Sequence, residues 1–159
     1  MKRLYSTIAI LITFGVPSFA QDIKPRFEFS VAPLFSLNQK TMSQEFSLAY
    51  SWDRVALKAN FESYGLVDAD AVFGESISFI AHPAFPSTKF ALCPEVGAGI
   101  VHGKFSGTNQ VSVKPQLYVG AVLDYEVFQN LGSGLILRWN TFGPDIWSFF
   151  LGLKIAARF

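Results

Sequence analysis

The sequence predicts an all-β protein, an eight-stranded antiparallel up-and-down transmembrane β-barrel, on three observations. Apolar residues alternate with small or charged ones at a period of two over nearly all of the chain beyond residue 20. Aromatics collect on the apolar face of that alternation, while glycine, serine and charge collect on the other. Finally, 50% of the residues are hydrophobic and 17 are Phe, yet no long apolar run follows the first twenty residues. Successive side chains of a strand point to opposite faces, so such a pattern builds sheets with one greasy side.

Composition narrows the class further. A chain of 159 residues is the size of one domain. With 13 Lys+Arg against 12 Asp+Glu it has neither a nucleic-acid-binding footprint nor an acidic tail. Its apolar half excludes intrinsic disorder.

Met1 to Ala20 reads as a secretory signal peptide: basic Lys2 and Arg3, apolar Leu4 to Val16, then Pro17 and small residues before a cut at Gln21. The apolar stretch is too short to span a membrane as a helix. Residues 21–159 are then the barrel domain. Cys93 is the only cysteine, which rules out an intramolecular disulfide. His82 and His102 stand far apart, so no metal cluster and no cofactor is indicated.

The strands follow in order. Phe27, Phe29, Val31 and Phe35 alternate with Arg26, Glu28, Ser30 and Ala32. Phe46, Leu48, Tyr50 and Trp52 alternate with Glu45, Ser47, Ala49 and Ser51. Val55, Leu57, Ala59 and Phe61 oppose Ala56, Lys58, Asn60 and Glu62. Phe73, Ile77, Phe79 and Ala81 oppose Gly74, Ser76 and Ser78, with Glu75 breaking the apolar side.

Phe90, Leu92, Val96, Ala98 and Ile100 oppose Cys93, Glu95, Gly97 and Gly99. Leu117, Val119, Ala121, Leu123 and Tyr125 oppose Lys114, Gln116, Tyr118, Gly120 and Asp124. Leu131, Leu135, Leu137 and Trp139 oppose Gly132, Gly134, Arg138 and Asn140. From Trp147 to Phe159 every odd position is apolar. Strands of about 10–14 residues are expected, each long enough to cross a bilayer at a tilt, which takes about 9–11. Short turn-rich connections join them, with Gly103 to Gln110 and Val127 to Asn130 read as loops.

A soluble barrel or sandwich would place the apolar face inside; a membrane barrel inverts it. Glycine and serine on the polar face suit a narrow lumen rather than a solvated surface. Aromatics form two rims on the apolar face. Phe27, Trp52, Phe90, Tyr125 and Phe159 form one, and Phe35, Phe46, Trp139 and Trp147 the other.

The lumen is then expected to carry Arg26, Glu28, Glu45, Lys58, Glu62, Glu95, Lys114, Asp124, Arg138, Lys154 and Arg158 as a paired ionic network that plugs it. By depth they sort into Arg26, Glu28, Asp124 and Arg158 near the periplasmic end, Lys58, Glu95 and Lys154 in the middle, and the rest near the outer end. Catalytic signals are weak. Gly97-Ala98-Gly99 sits in a strand with no helix after it; His102 with Ser106 falls on the lipid-facing side; Glu62 and Glu95 have cationic neighbours that favour ion pairing over acid–base work.

The signal segment, the Pro94-Glu95-Val96-Gly97-Ala98-Gly99 strand, the Asp124-Tyr125-Glu126-Val127 turn entry and the terminal Phe159 resemble the OmpA-like superfamily of eight-stranded outer-membrane barrels. The resemblance implies the bacterial outer membrane, lipid and lipopolysaccharide as surroundings, and Phe159 as a signal read by the barrel-assembly machinery. Over Glu95 to Gly107 and Gly134 to Gly143 the chain also resembles lipid A deacylase barrels. That family carries a His-x-Ser pair where this chain has Arg138 and Asn140, which implies no acyl hydrolysis by that mechanism. The expectation is a non-enzymatic barrel with a structural or surface-interaction role. A lipid A-modifying enzyme and a narrow conducting barrel are the alternatives, and the oligomeric state stays open.

Overall fold

The computed structural model describes residues 26–52, 54–65, 69–82, 90–105, 110–128, 130–144 and 146–159, so the expected signal peptide lies outside the described residues. Eight strands run in order: β1 Arg26–Ser36, β2 Met42–Trp52, β3 Val55–Tyr64, β4 Ala69–Ala81, β5 Phe90–Phe105, β6 Ser112–Phe128, β7 Leu131–Phe142 and β8 Ile146–Arg158. Each pairs antiparallel with its neighbours, and β8 closes on β1 through Glu28↔Arg158, Val31↔Ile155 and Leu34↔Gly152. Closure leaves no sheet edge along the wall and satisfies the backbone within it, the condition for crossing a bilayer with strands. Beyond β8, Phe159 still exchanges two backbone hydrogen bonds with Phe27, at 2.9 and 3.2 Å.

Burial is inverted relative to a soluble protein. Val96 is 57% exposed, Leu153 61% and Ile155 64%, while Arg138 and Glu62 are 0% exposed. The alternation read from the sequence therefore sets which side chains face out on every strand. Two strands are longer than expected: β5 has 16 residues and β6 has 17. Gly103 and Val127 lie within strands rather than loops. At one end His102↔Val113 and Gly103↔Ser112 continue the β5–β6 ladder where β7 has already ended, with β4 accompanying β5 as far as Phe105. At the other, β6 runs through an irregularity between Glu126 and Phe128 and pairs Phe128 with Leu131. β4, β5 and β6 thus extend beyond the last pairs of β7 at the end opposite the termini, called here the far end.

Large inward side chains are matched by glycines. Gly97 lies opposite Tyr118, and a Cβ there would run into the tyrosine ring. Gly152 lies opposite Leu34, whose side chain leaves no room for such an atom. Alternating small and large residues in this way fills a small barrel without strain.

Candidate functional site in the lumen

The inward face carries two ionic clusters. Toward the far end, Arg138 on β7 reaches three carboxylates: Glu45 on β2 at 2.6 Å, Glu62 on β3 at 2.5 Å and Glu95 on β5 at 3.2 Å. Lys58 bridges Glu45 at 2.9 Å and Glu95 at 2.8 Å from the other side. The planar guanidinium suits this position because its fixed fork of donors serves several carboxylates at once. Its carbon also lies 4.4 Å over the Tyr118 ring, a cation–π contact in a dry site.

Neutral donors complete the cluster. Ser78 donates to Glu95 at 2.7 Å, and Gln116 donates to Glu62 at 2.9 Å. Tyr64 donates to Glu62 and accepts from Asn140 at 3.1 Å. An apolar lid lies further along the same strands. Tyr64 stands two residues beyond Glu62 and packs edge-on against Phe142, ring centroids 4.8 Å apart, and against Phe150 at 5.7 Å. Val72, Val101 and Leu34 belong to the same buried apolar set.

Toward the terminal end the second cluster is a square. Lys154 bridges Glu28 and Asp124, both at 3.0 Å, and Arg158 pairs Glu28 at 2.8 Å and Asp124 as well. Between the clusters lie small apolar groups, Ala56, Ile80, Cys93, Val122 and Ile136. A small pocket, with about 10 Å³ of room, opens beside Glu28, Ser51, His82, Cys93, Asp124 and Lys154, enough for about one water. His82 follows β4 and its Nδ1 lies 3.5 Å from the Cys93 sulfur. Burial there holds the His82 imidazole below its usual pKa.

Of the eleven charged residues expected in the lumen, nine belong to these two clusters. Arg26 and Lys114 are half-buried at opposite ends and lie outside them. The grouping by depth differs from the expectation. Lys154 joins the terminal-end square rather than a middle layer, and Lys58 with Glu95 joins the far-end cluster. Barrel strands tilt, so counting residues from a strand end misplaces its depth relative to its neighbours, and long side chains close the remaining gap. Of the lid, the alternation of β8 places Phe150 inward, whereas nothing in the sequence sets Tyr64 and Phe142 there.

Other candidates are dispersed. Glu62 and Glu95 are both engaged by Arg138. His102 faces outward, its ring 6.0 Å from that of Phe73, and Ser106 lies outside the described residues. Among the described residues, no three His, Cys, Asp or Glu side chains are placed to hold a metal ion.

The sequence matches no family profile and no curated protein. Solved structures match in fold. The N-terminal β-barrel domain of Pseudomonas aeruginosa OprF is 21% identical, with a TM-score of 0.66 over 84% of this chain and 97% of that one. Neisserial surface protein A is 17% identical, with a TM-score of 0.61 over 85% and 96%. Ail, the attachment invasion locus protein of Yersinia pestis, was solved with the heparin analogue sucrose octasulfate. It is 18% identical, with a TM-score of 0.54 over 86% and 100%. In fold, this chain is a closed eight-stranded antiparallel β-barrel like these three.

Proposed function

We propose that the protein is a small bacterial outer-membrane barrel with a plugged lumen, whose role is structural or in surface interaction rather than enzymatic. The inverted burial carries this reading. A wall with exposed Leu, Ile, Val and Phe on every strand is a lipid-facing wall, since water would make it an aggregation surface far larger than soluble monomers tolerate. The termini then lie on the periplasmic side and the β5–β6 hairpin faces outward. Phe159, which the family resemblance implies is read by the assembly machinery, is 77% exposed beside Phe27.

The plug follows from packing. Arg138, Glu62, Gln116 and Asn140 are completely buried, and the Phe142 and Phe150 rings close over them. The same contacts argue against the enzymatic alternative. Arg138 and Asn140, at the positions of the deacylase pair, are spent on Glu62 and Tyr64 inside the lumen.

Two measurements test this. The barrel is expected in the outer-membrane fraction with heat-modifiable migration in a detergent gel, and its insertion into planar bilayers is expected to produce no steady conductance. Recovery in the soluble periplasm, or unchanged migration after boiling, overturns the membrane assignment. A stable open channel overturns the plug.

A further inference from the structure

One position departs from the closed ladder of the wall. Where β1 meets β8, pairing runs to Val31↔Ile155 and resumes at Leu34↔Gly152, passing over Ala32 and Pro33. The register is the same on both sides of this gap, so no residue is inserted. The backbone gives the reason. Phe27 exchanges hydrogen bonds with Phe159, and Leu37 N donates to Phe149 O at 2.8 Å. Every second residue between Phe27 and Leu37 therefore turns its N–H and C=O toward β8, and Pro33 is one of them. Proline has no N–H, so the Leu153 carbonyl opposite it lacks the donor that another residue would supply.

The other strand prolines stand where this loss is harmless. Pro94 falls just past the last β4–β5 pair, Ile80↔Glu95, and Pro115 just past the last β6–β7 pair, Gln116↔Phe142. Such ladder ends are where strand prolines ordinarily stand. Pro33 alone of the three interrupts a seam that is paired on both sides of it.

Side chains fasten the two ends of that seam. At the far end the Asn38 amide acts as one more peptide group: its Oδ1 accepts from Phe149 N at 2.9 Å, and its Nδ2 donates to Trp147 O at 3.0 Å. The Ser36 and Ser148 hydroxyls bond across the same place at 2.6 Å. At the terminal end Glu28 pairs with Arg158 at 2.8 Å and Lys154 at 3.0 Å, both on β8. Between these clasps the inward side chains are small. Ser30 is bonded to Ser47 on β2, and little but Leu34, seated over Gly152, spans the break.

We propose that the β1–β8 seam is a lateral window, which opens reversibly around Pro33 while the clasps at its two ends hold. A seam that merely frays opens from an end; two fastened ends about a broken middle reverse that order. Opening at this level bares Ala32 and Leu34, members of the buried apolar set, and leaves the ion pairs intact. The lumen then has a sideways route to lipid that its plug denies it along the axis. That route rests on the outer-membrane reading above, whereas the window itself belongs to the closed barrel and is measured on it directly.

The test is hydrogen–deuterium exchange of the full barrel in detergent, resolved to single amides by NMR. In the wild type, Val31, Leu153 and Ile155 are expected to exchange about tenfold faster than Phe79 and Val96, which pair in the unbroken β4–β5 ladder. They are also expected to outpace Phe29 and Ala157 toward one clasp and Leu37 and Phe149 at the other. Pro33→Ala returns the missing donor and is expected to slow them by about tenfold, the scale of one backbone hydrogen bond. Asn38→Ala undoes the far clasp and is expected to bring Leu37 and Phe149 into the fast set, with Phe29 and Ala157 still slow. Exchange that slows steadily from the ends of the seam to its middle overturns the window, as does unchanged exchange in Pro33→Ala. Slow Leu37 and Phe149 in Asn38→Ala would overturn the far clasp as its boundary. Heat-modifiable migration of each variant excludes misfolding as the cause. A wild type found outside the outer membrane would fail the route to lipid instead, so the two failures are distinguishable.

Discussion

The two ionic clusters use the same chemistry and differ in what surrounds them. In the far-end cluster two cations face three carboxylates, all 0–3% exposed, beneath a lid of Tyr64, Phe142 and Phe150. In the terminal-end square two cations face two carboxylates that are 10–11% exposed beside a pocket open to one water. A buried charge that loses its partner bears the full desolvation penalty, whereas one that water can reach is re-solvated. Ion-pair distances alone, which are short in both clusters, do not reveal this difference.

Removing the central cation from each cluster is the sharpest way to break the comparison. Arg138→Met leaves three buried carboxylates with only Lys58, and is expected to destabilise the barrel by about 3–5 kcal/mol. Arg158→Met leaves Glu28 and Asp124 with Lys154 and access to water, and is expected to lose only about 1–2 kcal/mol. Urea unfolding in detergent or in lipid vesicles, followed by tryptophan fluorescence, measures both. Equal losses would mean that the lid does not isolate the far-end cluster.

The lid is also the feature that the sequence hid. Strand order and outward faces were legible, because a period of two needs no knowledge of partners. The ionic residues were legible as inward-facing, since charge at alternate positions has few other places to go. Which charges meet was not, because it depends on tilt and register: Arg138 joins Glu45, Glu62 and Glu95 from three other strands. Phe142 and Val101 carry no sign of facing inward, because apolar character marks the outer face along the rest of the wall. Leu34 becomes recognisable as an inward residue once Gly152 is known to lie opposite it. That small–large complementarity appears only when the register is fixed.

Opening the lid tests whether isolation causes the contrast. Phe142→Ser removes the edge-on partner of Tyr64 and admits water above Glu62. In that background the further loss caused by Arg138→Met is expected to shrink by about 1–2 kcal/mol, a coupling typical of residues sharing one buried network. A double-mutant cycle in urea measures it. Strict additivity would locate the cost of losing Arg138 in packing, including its contact with Tyr118, rather than in stranded charge.

Ionic strength gives the smallest effect and the most selective one. Raising salt from about 0.1 M to about 1 M shortens the screening length from ~10 Å to ~3 Å, but ions screen only what they approach. The terminal-end square borders the mouth and its carboxylates are partly exposed, so its pairing weakens by a few tenths of a kcal/mol. The far-end cluster lies beyond Ile80, Val122 and Ile136 on one side and the lid on the other, and is expected to be insensitive. The salt dependence of unfolding should therefore disappear in Arg158→Met and persist in Arg138→Met. The opposite pattern would place the ion-accessible cluster at the far end, with the lid open in the membrane.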